Sequence, residues 1–190
     1  MGISIKDPDF EHIDTPDLDD ESGLIALHEW DKIKAYRKDV AEEMSKVLEL
    51  SSADWVKALL FANEDKVVKI QLFKELFVFG ERTGLNDSNL FEWYPHNFGP
   101  YSNVVAEGLE ILKKENVVSE DRKITKKEGN IYYLYGLKNS EDGKKIWGML
   151  PKEIQKVMKA TIEEIKGKPF AEIKKFVYNA YPHMAIKANL

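Results

Sequence analysis

Apolar residues recur along this chain at three- and four-residue steps, interrupted once by a stretch of strand-like alternation. Ile33, Tyr36, Val40, Met44 and Val47 form the first stripe, with charged residues between them. That spacing predicts an amphipathic surface helix over residues 31–50. Ser51-Ser52-Ala53-Asp54 breaks it and supplies caps for a helix over residues 54–63, in which Val56, Leu59 and Leu60 face inward. After the polar turn Asn63-Glu64-Asp65-Lys66, residues 67–70 are short and β-branched, readable as extended chain or as the approach to the next helix. Residues 69–82 hold Ile70, Leu72, Phe73, Leu76, Phe77, Val78 and Phe79, apolar on more than one face. A helix of that kind is enclosed by neighbours on several sides, so it is expected at the centre of the core, with Gly80 and Gly84 marking its end.

Residues 91–102, Phe-Glu-Trp-Tyr-Pro-His-Asn-Phe-Gly-Pro-Tyr-Ser, follow a different rule: six of the twelve are aromatic or His, and two prolines and a glycine fix the backbone. The segment is expected to act as a joint that docks the next helix onto the apolar one. Pro100 or Ser102 opens that next helix, whose stripe is Val105, Leu109 and Leu112. The period then changes. Val117-Val118, Lys123-Ile124-Thr125 and Ile131-Tyr132-Tyr133-Leu134-Tyr135 read as short strands around Lys127-Glu128-Gly129-Asn130, a β-hairpin. Asn139 or Ser140 caps a helix running through Trp147 to Leu150, before Pro151. Ile154, Val157, Met158, Ile162 and Ile165 give another, and Phe170, Ile173, Phe176, Val177 and Ala180 the last, with Gly167-Lys168-Pro169 between them. No internal repeat and no second core is expected. The predicted fold is mainly α with a small β-hairpin: a winged-helix-like domain built from helices at 54–63, 70–82 and 102–115 and a wing at 117–137. Additional N- and C-terminal helices flank it.

Composition narrows the classes. A chain of 190 residues, 43% hydrophobic, buries one ordinary core. The absence of cysteine excludes disulfides, thiol catalysis and cysteine zinc sites, and suits a reducing compartment. No apolar run approaches the roughly 18–20 residues of a membrane span, and the N-terminus lacks a basic-then-apolar signal, so a cytoplasmic protein without membrane contact is expected. The net charge of −5 is unevenly spread. Residues 1–29 carry nine acids (Asp7, Asp9, Glu11, Asp14, Asp17, Asp19, Asp20, Glu21, Glu29) against Lys6 alone, and the remainder is mildly basic. Residues 1–29 are therefore expected as a flexible acidic tail, and 30–190 as a single domain. The tail reads either as a solubilising segment or as one that docks on a basic surface through Leu24-Ile25-Ala26-Leu27.

Catalytic chemistry finds little purchase. His12, His28, His96 and His183 do not fall at metal-ligand spacing, and Gly80-Glu81-Arg82-Thr83-Gly84 lacks the Gly-Lys-Ser/Thr ending of a phosphate loop. The acid pairs Glu42-Glu43 and Glu163-Glu164 lie on polar helix faces. No catalytic, cofactor-binding or metal residue is assigned, and the chain is expected not to be an enzyme. Two interaction surfaces compete instead. Arg122, Lys123, Lys126 and Lys127 are the candidate nucleic-acid contacts, extended by Lys138, Lys144 and Lys145; the alternative is that they keep a β-edge soluble. The helix that would enter a DNA groove offers Asn103 and Lys113-Lys114 but also Glu107, Glu110 and Glu115, which repel phosphate. Phe91, Trp93, Tyr94, Phe98 and Tyr101 are the candidate protein interface, or else they pack beneath the third helix.

Three segments together resemble the YwgA-like proteins and the related Panacea (SocA-like) antitoxin group. They are Lys69-Ile70-Gln71-Leu72-Phe73-Lys74-Glu75-Leu76-Phe77-Val78-Phe79, then Tyr94-Pro95-His96-Asn97-Phe98-Gly99-Pro100-Tyr101-Ser102, and Phe176-Val177-Tyr178-Asn179-Ala180-Tyr181-Pro182. The family pattern is Leu-Gln-Lys-Leu in the first, Gly-Pro-Tyr/Val-Ser in the second, and Val-Tyr followed by Tyr-Pro in the third. The resemblance spans roughly residues 54–183. This chain departs from it where Phe73-Lys74-Glu75 stands in place of Lys-Leu-Leu. The resemblance implies a winged-helix-like domain and a regulatory or adaptor role, antitoxin-like, exercised on an unidentified protein partner. A DNA-binding regulator with a basic wing is the alternative.

Overall fold

The computed structural model describes residues 49–124 and 131–185. The acidic segment 1–29, most of the helix expected at 31–50, and Lys126 and Lys127 with their turn lie outside the described residues.

Helix α1 (Ser52–Asn63) begins on a reciprocal cap. The Ser51 hydroxyl accepts from the Asp54 backbone N–H at 3.2 Å, and the Asp54 carboxylate accepts from the Ser51 N–H at 3.0 Å. Trp55, Val56, Leu59 and Leu60 of α1 are buried. The two-residue strand β1 (Val67–Val68) leads directly into α2 (Lys69–Thr83), where residues 72–80 are buried without a break. The period of the sequence already placed apolar side chains around this helix, and the fold wraps it accordingly. Gly84, left-handed at φ 73°, ends it, and a short 3-10 turn, Leu85–Ser88, follows.

Residues 91–102 contain a feature that the sequence pattern does not announce. β2 (Tyr94–His96) and β3 (Gly99–Tyr101) pair as a small antiparallel hairpin, with Pro95 facing Pro100 across the ladder. Pro100 is thus a strand residue, and the cap of α3 (Asn103–Lys114) is Ser102. Its hydroxyl accepts from Val105 N at 3.0 Å and donates to the carbonyl of Phe91. One buried side chain therefore starts the helix and closes the aromatic loop behind it. Replacing Ser102 with Ala removes both bonds and should lower stability by about 1–2 kcal/mol, read from a shift in urea midpoint at unchanged slope.

The strands of the expected hairpin are longer than the sequence suggests: β4 (Val118–Ile124) pairs antiparallel with β5 (Ile131–Leu137), placing Glu120 opposite Tyr135, Arg122 opposite Tyr133 and Ile124 opposite Ile131. β1 adds to the other side of β5, so the sheet order is β1-β5-β4. Three helices complete the chain: α4 (Ser140–Met149), capped by Asn139, then α5 (Lys152–Ile165) and α6 (Phe170–Ala180). α1 packs against α3 and α4. A Cβ on Gly143 would lie 2.6 Å from Phe61 Cβ and 2.9 Å from Lys57 O, so only glycine permits the α1–α4 approach. The architecture is mostly helical with small antiparallel sheets.

The main core joins α1, α2, α3, α4 and α5, with Tyr135 from the sheet. Against the expectation of one core, Phe77, Val78, Ile165, Ile173, Val177 and Met184 form a second buried cluster where α6 covers the far side of α2. Two clusters arise because α2 is apolar all round and presents two faces to different neighbours. Trp93 packs against both.

Candidate functional site

The residues of the aromatic segment separate by environment. Phe91 is fully buried, which corrects its assignment as an interface residue: its ring fills the main core and its carbonyl holds Ser102. Trp93 is half-buried, its ring edge-on to Phe73 and Phe77 at 6.2 and 5.5 Å between centroids, and its Nε1–H donates to Asn86 Oδ1 at 2.8 Å. It serves the joint. Tyr101 stacks on Phe73 at 5.0 Å and is half-buried, as is Tyr94, whose hydroxyl is 3.0 Å from Asn103 Oδ1. Of the five, Phe98 alone is well exposed, at 53%.

Phe98 stands at the mouth of a cavity of about 290 Å³ between the start of α2, the β2–β3 hairpin and β5. Its walls include Ile70, Phe73, His96, Tyr101 and Tyr133. The sheet explains why this space is apolar. Residues 118, 120, 122 and 124 of β4 and 131, 133, 135 and 137 of β5 share one face, because strand side chains alternate. That face is the core side at Val118 and Tyr135, but the strands extend beyond the core. Exposure along it climbs from 2% at Tyr135 to 41% at Tyr133, and Ile131 and Ile124 at the end are also exposed. Phe170, at the start of α6, meets Phe98 edge-on at 6.0 Å.

Lys74 also lines the cavity; in the sequence it and Glu75 marked only the departure from the family pattern, with no site assigned to them. Lys74 is only 2% exposed and Glu75 fully buried, because α2 offers no solvent face at these positions. Lys74 Nζ donates to the Pro100 carbonyl at 2.9 Å. Among the described residues no carboxylate lies within 4.0 Å of it, and burial lowers its pKa to about 7. Glu75 points the other way, accepting from Asn63 Nδ2 at 2.8 Å and Gln71 Nε2 at 2.7 Å. Burial raises its pKa to about 7, against the opposing pull of those two bonds. The available signal was indirect: a helix apolar on several faces leaves its interior polar residues nowhere to be solvated.

The candidate nucleic-acid surface is thinner than its sequence. Arg122 and Lys123 are exposed on β4, while Lys126 and Lys127 lie outside the described residues. Their neighbours on the strand are acidic and engaged: Asp121 pairs with Lys66, and Glu120 accepts from Lys113 Nζ at 2.8 Å and from the Tyr135 hydroxyl at 2.6 Å. Lys113, also held by Glu110, is therefore occupied within the fold. Of the lysines that extended the cluster, Lys138 donates to Asn116 and Lys144 pairs with Glu141. The outer face of α3 presents Asn103, Glu107, Glu110 and Lys114.

His96 lies between Tyr94 and Tyr101, and His183 beside Tyr181. Among the described residues no three His, Asp or Glu gather as a metal set, and no helix is long and apolar enough to cross a membrane. A second cavity, of about 470 Å³ beside Phe61 and Trp147, has charged walls in Glu64, Asp65, Lys66 and Lys159. All four are exposed, so nothing charged there is desolvated. Comparison with protein-family models, curated proteins and solved structures finds no match.

Proposed function

We propose that this chain is a winged-helix-like, non-enzymatic regulatory or adaptor protein, antitoxin-like by resemblance, that acts through protein contacts. The order α1-β1-α2-α3-β4-β5 with a β1-β5-β4 sheet supports the winged-helix part of that reading. The functional part rests on one observation. Of the seven large apolar side chains exposed among the described residues, Phe98, Ile124, Ile131, Tyr133 and Phe170 adjoin one another around a single groove. Contiguous exposed apolar surface of this kind marks interaction sites, and aromatic residues dominate binding energy where they become buried.

The test is a triple replacement of Phe98, Ile131 and Tyr133 by Ser. These side chains sit at the rim, so the variant should melt close to the wild type while partner affinity falls 100-fold or more. A folded variant that retains every co-purifying protein overturns the reading. The DNA-binding alternative draws on exposed Arg122 and Lys123. Titration of random duplex DNA against salt, with and without residues 1–29, discriminates the two: binding that weakens steeply with salt and with Arg122→Ala/Lys123→Ala favours the regulator.

A further inference from the structure

We propose that Lys74 is a nucleophilic amine that captures small apolar aldehydes as an imine inside the cavity between α2, the β2–β3 hairpin and β5. This goes beyond partner binding at the rim and does not depend on it.

Three features of the geometry carry the inference. The amine sits in the wall of an open cavity of about 290 Å³, near the lower bound for a small-ligand site. Among the described residues its one hydrogen-bond partner is the Pro100 carbonyl, whereas an ammonium has three N–H donors to satisfy. The other titratable groups lining the cavity are Lys69 from the same helix, His96 and Tyr101 from the hairpin, and Tyr132 and Tyr133 from β5, and Tyr178 of α6 lies with Lys74 beside Gly99. None is a carboxylate, so nothing there compensates a positive charge. A lysine so placed has a substantial free-amine fraction at neutral pH, the form in which lysine is a nucleophile. Gly99 keeps the approach open. Its φ of 93° favours glycine, and a Cβ there would lie 3.2 Å from Lys74 Nζ.

The chemistry balances without a redox partner. The Nζ lone pair attacks the aldehyde carbon, and a nitrogen proton passes to the oxygen, giving a carbinolamine. That hydroxyl takes up a proton from solvent and leaves as water as the nitrogen lone pair forms the carbon–nitrogen double bond, giving the protonated imine. When protonated, the imine retains one N–H, enough to preserve the bond to Pro100. The walls select the substrate class: Ile70, Phe73, Tyr101 and Tyr133 favour an aliphatic or aromatic aldehyde over a polyhydroxylated one.

The experiment uses the full chain, hexanal as probe and cyanoborohydride to fix any imine, with sites mapped by peptide mass spectrometry between pH 6 and 10. Lys74 is expected to label at least tenfold faster at pH 7 than the exposed Lys123 and Lys145, and its rate should level off above about pH 8. The exposed Lys123 and Lys145 serve as the reference for solvent-accessible amines. Denatured chain should lose the preference. Labelling of Lys74 no faster than that of the exposed lysines, or a rate still climbing through pH 9–10, overturns the proposal. The wild-type chain suffices for the measurement, so no variant has to fold.

Discussion

Stability should pass through a minimum near pH 7, with one arm set by Glu75 and the other by Lys74. Between pH 4.5 and about 7, the folded chain holds a proton on Glu75 that the unfolded chain has released, so rising pH destabilises the fold. Between about 7 and 10.5, the unfolded chain holds a proton on Lys74 that the folded chain lacks, so rising pH stabilises it. The Glu75 arm is on the order of 3 kcal/mol and the Lys74 arm on the order of 5 kcal/mol, since one pKa unit corresponds to 1.36 kcal/mol and both groups are deeply buried. Denaturation of wild type, Glu75→Gln and Lys74→Met across this range separates the arms. The Gln variant should lose the acid-side decline and the Met variant the alkaline-side recovery. Difference curves that are flat with pH would show that both groups keep their ordinary titration in the fold.

Trp93→Ala should cost about 3 kcal/mol, the second large effect. The ring packs on Phe73, Phe77 and Phe91 and thereby links the two buried clusters. Its N–H also fixes Asn86, whose own Nδ2 holds the Phe77 carbonyl at 3.1 Å and Glu81 at 2.8 Å. Truncation thus opens a cavity and leaves the Asn86 oxygen without its donor. Trp93→Phe keeps most of the packing and should cost about 1 kcal/mol, the worth of the hydrogen bond. Urea midpoints measure both. A Trp93→Ala protein of wild-type stability that had lost only a partner would return Trp93 to the interface and remove it from the joint.

The helices were legible because a 3.6-residue period survives in each: Val105, Leu109 and Leu112 face the core as spaced, and Ile154, Met158, Ile162 and Ile165 do the same. The hairpin of residues 94–101 was not legible. Its strands are three residues long, too short for an alternation to register, and Pro95 and Pro100 argue against ladder pairing. The partition of the aromatic segment was equally hidden. Nothing in the residue types separates buried Phe91 from exposed Phe98; only the turn between β2 and β3 points the latter outward. A local count of Arg and Lys around Arg122 and Lys123 omits the acidic neighbours Glu120 and Asp121, which hold Lys113 and Lys66.

β5 forms the middle of its sheet, and its two borders are acquired over different distances along the chain. β4 precedes it across a short connection, whereas Val67 of β1 pairs with Tyr135 across an intervening stretch that holds α2, the small hairpin and α3. Closing a loop that long carries more chain entropy than closing the wing, so the β1 border should form late in folding. Until then one margin of β5, a strand rich in tyrosine and leucine, is open to pairing with another molecule. Aggregation during refolding should therefore begin at this strand, and a two-residue segment, Val67–Val68, is what ends the exposure.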